Sequence, residues 1–353
     1  MKKTDRAVLY FGSYDPEYSR NRIIKKGLTA NKLEVFEAIA TGLLPARYLE
    51  LTRQFLKYKD RIGSIIVGFP GHYDVPLAYI LGKLFGKKVF YDIFASTYET
   101  YVLDREVISK KSFRSKFFYF IDWLGLKLAD YIIVDTIAHG KFYTQLYGLK
   151  PKKQIVIYVG SDTNYFYPRK VKEETDVLFY GSYQPLQGVE VIIKAASKLP
   201  DIKFKLIGEG QTKKSAQKLA NRLKLTNVQF INWLPLNELA KEISKAKVIL
   251  GIFGKSQKAQ SVIPNKVYDA LASRKAVITT ETQATKEIFL NNKNIIVVTQ
   301  ANSNFLTASV LHLINNNNLR KSISSNGYQL FKERFLPEKV VLNLTKLLVN
   351  EQS

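Results

Sequence analysis

The segment 175–199, TDVLFYGSYQPLQGVEVIIKAASKL, decides the fold prediction. Its apolar run VLFY ends at Gly181, which is typical of a buried strand followed by a tight turn. From Val189 onward, apolar side chains recur three and four positions apart, as they do on one face of a helix. A buried strand, a glycine turn and an amphipathic helix in this order form one unit of a parallel α/β sheet.

The same unit recurs along the chain. Before it, apolar runs at 7–13, 62–71, 87–96 and 130–136 are predicted strands; after it come KFKLIG, VQFINWL, KVILGIF and KAVITTE. Helical patterns separate them, so we predict an α/β protein with two Rossmann-like, doubly wound domains and an inter-domain cleft. Proline and charged residues gather at 161–176. We therefore predict domains at 1–165 and 166–335, and a C-terminal helix, 336–353, that returns to the N-terminal domain.

Composition narrows the classes of partner and site. The 353 residues include 54 Lys and Arg against 30 Asp and Glu, a net charge of +24 that is spread over both halves. Such a balance favours anionic partners: nucleic acid, acidic lipid or phosphorylated substrates. No cysteine and three scattered histidines exclude a disulfide framework and make a zinc site implausible. The sequence shows no signal peptide and no apolar run of about 18 residues, so we expect a cytoplasmic protein, soluble or peripheral to a membrane.

Glycines follow several predicted strands. Ligands of open parallel sheets bind beyond the carboxyl ends of the strands, so these turns are expected to face the cleft. Each glycine alone is more often structural, but their joint placement indicates a binding edge. They are Gly12, Gly181, Gly208 and Gly210.

A lysine lies in the first turn of a later predicted helix, within SVIPNKVYDALASRKAVIT (261–279). The helix dipole disfavours a cation there by about 0.3–1 kcal/mol. The free N–H groups of the same turn attract anions, and a bound diphosphate would make Lys266 its counter-charge. Asp269, one turn later, could accept hydrogen bonds from a ribose. The alternative is a solvent-facing Lys266–Asp269 pair.

Several stretches resemble the retaining, nucleotide-sugar-dependent glycosyltransferases of the GT-B fold, family 4 type. They are VLFYGSYQPLQGVEVIIKAASKL, KLIGEGQ, VQFINWLPLNELAKEISKAKVILGIF, IPNKVYDALASRKAVITTET and the linker IVIYVGSDTNYFYP. FGSYDPEYSRNR and DIFASTYETYVLDR in the first half resemble a sub-branch of that family.

The resemblance implies that the C-terminal domain holds the nucleotide-sugar donor. Its base would lie near Gly208–Gly210 and Trp233–Leu234, its ribose on Asp269 where the family usually has Glu, and its diphosphate and sugar at 261–266. Three further positions depart from the family pattern. The family's other acidic residue falls on Ser261 and its two cations fall on Ser182 and Gln187, which leaves Lys266 as the replacement cation. The predicted donor-binding residues are Gly12, Gly181, Ser182, Gln187, Gly208, Gly210, Trp233, Leu234, Ser261, Val262, Ile263, Pro264, Asn265, Lys266 and Asp269.

The resemblance also implies transfer of a sugar to an acceptor hydroxyl with retention at the anomeric carbon. Positioned cations and N–H groups would stabilise the leaving diphosphate. We expect no cofactor and no essential metal, since no Asp-x-Asp pair is present, and we name no firm general base. Asp92, at a strand end, is a candidate for orienting the sugar or acceptor; a helix cap or turn is its alternative. The predicted acceptor-binding residues are Ser13, Tyr14, Arg20, Arg22 and Tyr98, of which the two arginines could equally be a solvated pair.

The stretch 110–130, KKSFRSKFFYFIDWLGLKLAD, is predicted as a basic helix with an aromatic cluster. Such a helix can lie at an anionic membrane surface, which would suit a lipid-linked or glycan acceptor. The predicted membrane-contacting residues are Lys110, Lys111, Phe113, Arg114 and Lys116. In the alternative, positions 117, 120, 121, 124 and 128 form an inward stripe while the lysines face water.

Other classes of protein are less consistent with the sequence. A basic nucleic-acid-binding protein would need a basic stripe with exposed interleaved aromatics, which we do not find, so no nucleic-acid partner is expected. A dinucleotide-dependent oxidoreductase would need the full G-x-G-x-x-G spacing, and the GEG turn lacks it. A GT-B phosphorylase or epimerase would use the same residues and stays open.

Overall fold

The computed structural model describes residues 7–299 and 302–350, which form two compact units. The first unit comprises residues 7–159 and 337–350, and the second comprises 160–336. The first boundary therefore lies six residues before the one expected at 165, because the linker residues from Gly160 already pack in the second unit. The C-terminal residues belong to the first unit.

The described part of the first unit contains a six-stranded parallel sheet of order β2-β1-β3-β4-β5-β6. Its strands are β1 (Ala7–Gly12), β2 (Glu34–Ile39), β3 (Ser64–Val67), β4 (Lys88–Asp92), β5 (Tyr131–Val134) and β6 (Gln154–Val156). The helices are α1 (Ser19–Ala30), α2 (Leu44–Tyr58), α3 (Val75–Leu84), a π-helix (Glu99–Asp104), α4 (Phe113–Leu128), α5 (Ile137–Tyr147), α14 (Pro337–Val340) and α15 (Leu342–Asn350). The interior strands are buried on both faces, as apolar runs without alternation require.

The second unit repeats the arrangement, and its described residues form a parallel sheet of order β12-β11-β10-β7-β8-β9. Its strands are β7 (Thr175–Tyr180), β8 (Phe204–Ile207), β9 (Val228–Ile231), β10 (Ala246–Leu250), β11 (Ala276–Thr280) and β12 (Ile296–Val298). The helices are α6 (Val189–Ala196), α7 (Lys213–Arg222), α8 (Leu236–Lys245), α9 (Gln257–Ser261), α10 (Asn265–Ala272), α11 (Gln283–Lys286), α12 (Ser303–Asn315) and α13 (Asn317–Arg334).

The predicted doubly wound architecture is confirmed in both units, with every predicted strand present. In each sheet there is also a direction change, meaning a point at which the order of successive strands reverses from one side of the sheet to the other. In the first unit this point lies between β1 and β3, and in the second it lies between β7 and β10. The crevice beyond the carboxyl ends of such a strand pair is where open α/β sheets bind ligands. None of the described helices is both long and apolar enough to cross a bilayer.

Candidate functional site

Lys266 lies at the direction change of the second sheet, buried except for 4% of its surface. Its Nζ atom lies over the Phe179 ring, 3.8 Å from the centroid, and donates a hydrogen bond to Gln187 Oε1. A Cβ atom added to Gly181 would lie 3.3 Å from Lys266 Nζ, so the amine packs directly against this turn. Burial lowers the pKa of Lys266 well below its usual value. The solvent-facing Lys266–Asp269 pair is therefore wrong.

Asp269, one turn along α10, is held by two hydroxyl groups. Ser161 Oγ donates to Oδ1 at 2.6 Å, and the Tyr180 hydroxyl donates to Oδ2 at 3.2 Å. The carboxylate is only 7% exposed, and burial together with this carboxylate raises the pKa of Tyr180 well above its usual value. Ser161 and Tyr180 were not among the predicted site residues. The two donors fix the plane in which Asp269 can accept further hydrogen bonds.

The N-terminus of α10 lies at Pro264 and Asn265, two of the predicted donor-binding residues. Pro264 is the N-cap residue and Asn265 is the first helical residue, so Asn265 does not cap the helix; no side chain does. The first N–H groups of a helix have no intrahelical partner. Lys266 belongs to this first turn, in which the Val267 N–H donates to the Pro264 carbonyl at 3.0 Å.

The residues before α10 are buried. Val262 packs in a small apolar cluster with Leu186, Ile252 and Ala259, and Ile263 is 1% exposed. Ser261 Oγ donates to the carbonyl of Gln257 at 2.9 Å. Direct contact of Val262 and Ile263 with a polar ligand is thus restricted to their backbone.

The glycine turns of the second unit pack on one another. A Cβ at Gly208 would lie 2.0 Å from the carbonyl oxygen of Gly181, and one at Gly210 would lie 2.7 Å from the Tyr183 nitrogen. These two glycines are therefore required by packing, whatever they bind. Ser182 is exposed beside them. Gln187 points inward and is the hydrogen-bond acceptor of Lys266.

The segment after β9 presents an aromatic ring to solvent. Trp233 is 69% exposed, while Leu234 is half-buried. An exposed indole at the carboxyl end of a parallel strand is suited to stacking on a planar base.

The turn after β1 in the first unit is tied to a buried carboxylate. Ser13 donates to Asp74 Oδ2 through its backbone N–H at 2.8 Å and its hydroxyl at 2.9 Å. Asp74 Oδ1 also lies 2.9 Å from Arg47 Nε. Gly12 adopts a φ of +124°, which glycine accommodates without strain, and packs on Asp74. Neither Asp74 nor Arg47 was predicted.

Tyr14, a predicted acceptor-binding residue, is buried. It is 2% exposed, and its hydroxyl donates to Glu37 Oε2 at 2.7 Å. Burial and this contact raise the pKa of Tyr14 far above its usual value. Tyr14 therefore offers an acceptor little accessible surface.

Arg20 and Asp92 form a fully buried ion pair. Arg20 Nε and Nη2 donate to the two Asp92 oxygens at 2.9 and 3.1 Å, and Nη1 donates to the carbonyl of Ile157. Burial lowers the pKa of Arg20, but Asp92 more than offsets this effect, so the pKa is raised. The solvated arginine pair is therefore wrong, whereas Asp92 also accepts a hydrogen bond from the backbone of Phe94, two residues on, as in the turn alternative. Arg22, by contrast, is partly exposed and lies 3.6 Å from Glu17.

A second buried network that the sequence analysis missed lies at the ends of β4 and β5. His139 contacts Asp135 and Glu99, at 2.5 and 3.0 Å, and is completely buried. Burial lowers the pKa of His139, but the two carboxylates raise it to about 10. Asp122 accepts from the backbone N–H groups of Thr97 and Tyr98, and burial raises its pKa to about 6.

The residues around α4 that are predicted to contact a membrane lie on the protein surface. The helix begins at Phe113, so Lys110 and Lys111 precede it in a turn. Phe113, Phe117 and Phe120 are 84%, 42% and 50% exposed. The alternative inward stripe is therefore wrong at Phe117 and Phe120, while Leu128 of that stripe packs against the core. The buried residues of the helix are Ser115, Phe118, Asp122, Gly125 and Leu126. Arg114 and Lys116 are exposed beside the phenylalanines.

Comparisons with known proteins agree with this architecture. Residues 160–330 match the model of the family described as glycosyl transferases group 1. The "uncharacterized glycosyltransferase" MJ1178 of Methanocaldococcus jannaschii is 29% identical over 198 residues, which cover 55% of this chain and 53% of that protein. A second "uncharacterized glycosyltransferase" of that organism, MJ1069, is 24% identical; 96% of this chain and 89% of that protein are covered.

Among solved structures, the Anabaena protein Alr3699/HepE in complex with UDP-glucose superposes with a TM-score of 0.73 at 14% identity. The superposition covers 98% of this chain and 99% of that one. The predicted fold class is thereby confirmed for both units. Residues 160–330 thus match the glycosyl transferases group 1 model, and the two Rossmann-like units of the chain have the GT-B fold.

Proposed function

We propose that this protein transfers a sugar from a UDP-, GDP- or dTDP-linked donor to an acceptor hydroxyl with retention at the anomeric carbon. The observation that carries the proposal is the surroundings of Lys266. A buried amine without a carboxylate partner among the described residues belongs to the first turn of α10, which no side chain caps, and lies where the strand order of a doubly wound sheet reverses. Amine and N–H groups together suit a diphosphate.

The other residues of the second unit complete a nucleotide site. The carboxylate of Asp269 would accept hydrogen bonds from the ribose hydroxyls, since Ser161 and Tyr180 already fix its plane. The exposed ring of Trp233 would stack on the base. The structural similarity to a protein that binds UDP-glucose supports this assignment.

In the proposed reaction, the bond between the anomeric carbon and the diphosphate oxygen breaks and a bond to the acceptor oxygen forms on the same face. The acceptor proton passes to the departing diphosphate. Lys266 and the α10 N–H groups stabilise the negative charge that develops there. We expect turnover to persist in EDTA and the product to keep the donor's anomeric configuration, which its proton NMR coupling constant measures.

Nucleotide binding tests the proposal. At least one of UDP, GDP, dTDP and their glucose esters should raise the melting temperature. Lys266→Met should abolish that rise, because it removes the counter-charge but keeps an unbranched apolar chain. Lys241→Met changes an exposed lysine of α8 and serves as the matched control. No shift with any compound, or an equal loss in both variants, would contradict the proposal.

We further propose that the acceptor is lipid-linked, for the assembly of cell-surface glycans or glycolipids, and that the outer face of α4 binds the cytoplasmic side of an anionic membrane. Three exposed phenylalanines lie at positions 113, 117 and 120, with Arg114 and Lys116 between them. Apolar rings in the lipid interface and cations at the headgroups are the two contributions to such binding. The net charge of +24 favours the same partner.

Flotation with liposomes tests the membrane proposal. Vesicles of phosphatidylglycerol and phosphatidylcholine should retain the protein, and pure phosphatidylcholine should retain less. Phe113→Ser combined with Phe117→Ser should release it, as should exchange of Lys110, Lys111 and Arg114 for Glu. Phe305→Ser, which alters an exposed ring of the other unit, is the control. Unchanged flotation of both altered proteins would refute the assignment.

A further inference from the structure

The amine of Lys266 lies where a permanent charge is costly. Within the described residues its hydrogen-bond acceptor is the neutral amide oxygen of Gln187, and it also lies close to the Phe179 ring. Both stabilise a cation far less than a carboxylate does. Burying an ammonium group without an opposite charge is unfavourable, and a lysine can avoid this cost by losing its proton.

The titratable groups around Lys266 do not supply the missing charge. On its own helix, Asp269 is directed toward Ser161 and Tyr180. From β7, Tyr180 places its hydroxyl on the backbone carbonyl of Lys266 and on Asp269, not on the amine. The 3₁₀ turn Pro185–Gln187 contributes an amide. Burial is the cause of the lowered pKa of Lys266, with no charged group contributing.

We propose that Lys266 is a neutral amine in the ligand-free protein and takes up one proton when the donor's diphosphate binds. The inference rests on the proposed function and goes beyond it. It states that the protein binds two species together, the nucleotide-sugar and a proton. The diphosphate supplies the negative charge that the ligand-free pocket lacks. Lys266 therefore acquires its charge only when the leaving group is present to use it.

Proton uptake by Lys266 makes the affinity for the donor depend on pH, with a defined sign. Below the pKa of the free amine, Lys266 is already charged and binding takes up no proton. Between the pKa of the free and the bound amine, each binding event takes up one proton, and donor affinity falls up to tenfold per pH unit. Affinity should accordingly weaken as the pH rises.

Titration calorimetry with UDP-, GDP- or dTDP-glucose tests the proposal, because their phosphate diesters do not titrate near neutral pH. At pH 8, the dependence of the heat on the ionisation enthalpy of PIPES, HEPES and Tris should give an uptake near one proton. Lys266→Arg, whose guanidinium stays charged, should bind with no uptake. Uptake near zero from pH 6 to 9 in the unaltered protein, or equal uptake in Lys266→Arg, would overturn the proposal.

A ligand-free measurement separates this proposal from the function. The ¹³Cε resonance of Lys266, assigned as the one missing in Lys266→Arg, should titrate at a lower pH than the exposed lysines. If Lys266 titrates at the same pH as the exposed lysines, the proposal of a neutral amine is overturned even if nucleotides bind. A low titration midpoint with no binding of any glucose ester instead refutes the proposed function, and with it the coupled proton uptake.

Discussion

At the scale of the residue, hydrogen bonds within the protein restrict the orientation of the polar side chains in the candidate donor site. Asp269 accepts from Ser161 at one carboxylate oxygen and from Tyr180 at the other. Ser161 lies 108 positions earlier in the chain, at the start of the second unit. A carboxylate with two fixed donors is preorganised, so binding a ribose costs it little further order.

Ser161→Ala should therefore weaken nucleoside diphosphate binding about fivefold, since one hydrogen bond contributes about 1 kcal/mol. Affinity for inorganic pyrophosphate, which has no ribose, should stay unchanged. Calorimetric titration with UDP, GDP and dTDP and with pyrophosphate measures both. Ser215→Ala alters an exposed serine of the same unit and is the control. Equal weakening for nucleotide and pyrophosphate would show that Ser161 acts elsewhere than on the ribose contact.

At the scale of the element, buried charges connect parts of the first unit that local sequence does not connect. Asp135 directly follows β5, His139 lies in the first turn of α5, and Glu99 begins the π-helix. The imidazole is close enough to both carboxylates to hydrogen-bond to each, and Tyr143 donates to Glu99 at 2.9 Å. Three elements are thus held by one protonated ring.

The stability of this unit should depend on the charge of His139. Its pKa of about 10 lies above the unfolded value of about 6.5, so the stabilisation is complete below about pH 6.5 and is lost as the pH rises toward 10. His139→Gln should lower the free energy of unfolding by about 3–5 kcal/mol at pH 6.5 and remove this part of the pH dependence.

Urea unfolding in a Trp233→Phe background measures this effect, because Trp123 of the same unit then reports the transition. His312→Gln, which alters an exposed histidine, should leave the pH dependence unchanged. A pH dependence that is identical in His139→Gln and the unaltered background would contradict the role of the ring.

At the scale of the whole molecule, the last helices complete the core of the first unit. Gly27 of α1 lies so close to Pro337 that an added Cβ would come within 2.2 Å of the proline carbonyl oxygen. Asn31 donates to the Glu338 carbonyl at 2.9 Å, and Leu344 is completely buried. The first unit is therefore closed by residues that follow the entire second unit in sequence.

Leu344→Ala should destabilise the first unit by about 2–5 kcal/mol, the usual cost of truncating a buried leucine. Hydrogen exchange followed by mass spectrometry should show lower protection of α1 and unchanged protection of β7 in the second unit. Leu342→Ala, at a 39% exposed position of the same helix, should have little effect. Unchanged exchange in α1 after Leu344→Ala would mean that α15 does not stabilise this unit.

The amino-acid sequence by itself determined the architecture of this protein. Apolar runs ending in glycine, such as VLFYG at 177–181, are local patterns, and the periodicity of a buried parallel strand can be recognised without knowing its neighbours. The position of Lys266 in a first helical turn was visible for the same reason. The helix α4 shows the limit of such patterns, because its spacing suggested an inward stripe in which Phe117 and Phe120 are in fact exposed.

Only the tertiary structure decided which polar groups are buried and what they contact. Arg20 meets Asp92 from 72 positions away, Ser161 meets Asp269 from 108, and Lys266 lies on the ring of Phe179. The energy of a buried charge depends on its partners and its exclusion from water, and both are set by packing between distant segments. The sequence could therefore locate the candidate donor site, but the protonation and orientation of its side chains follow from the fold.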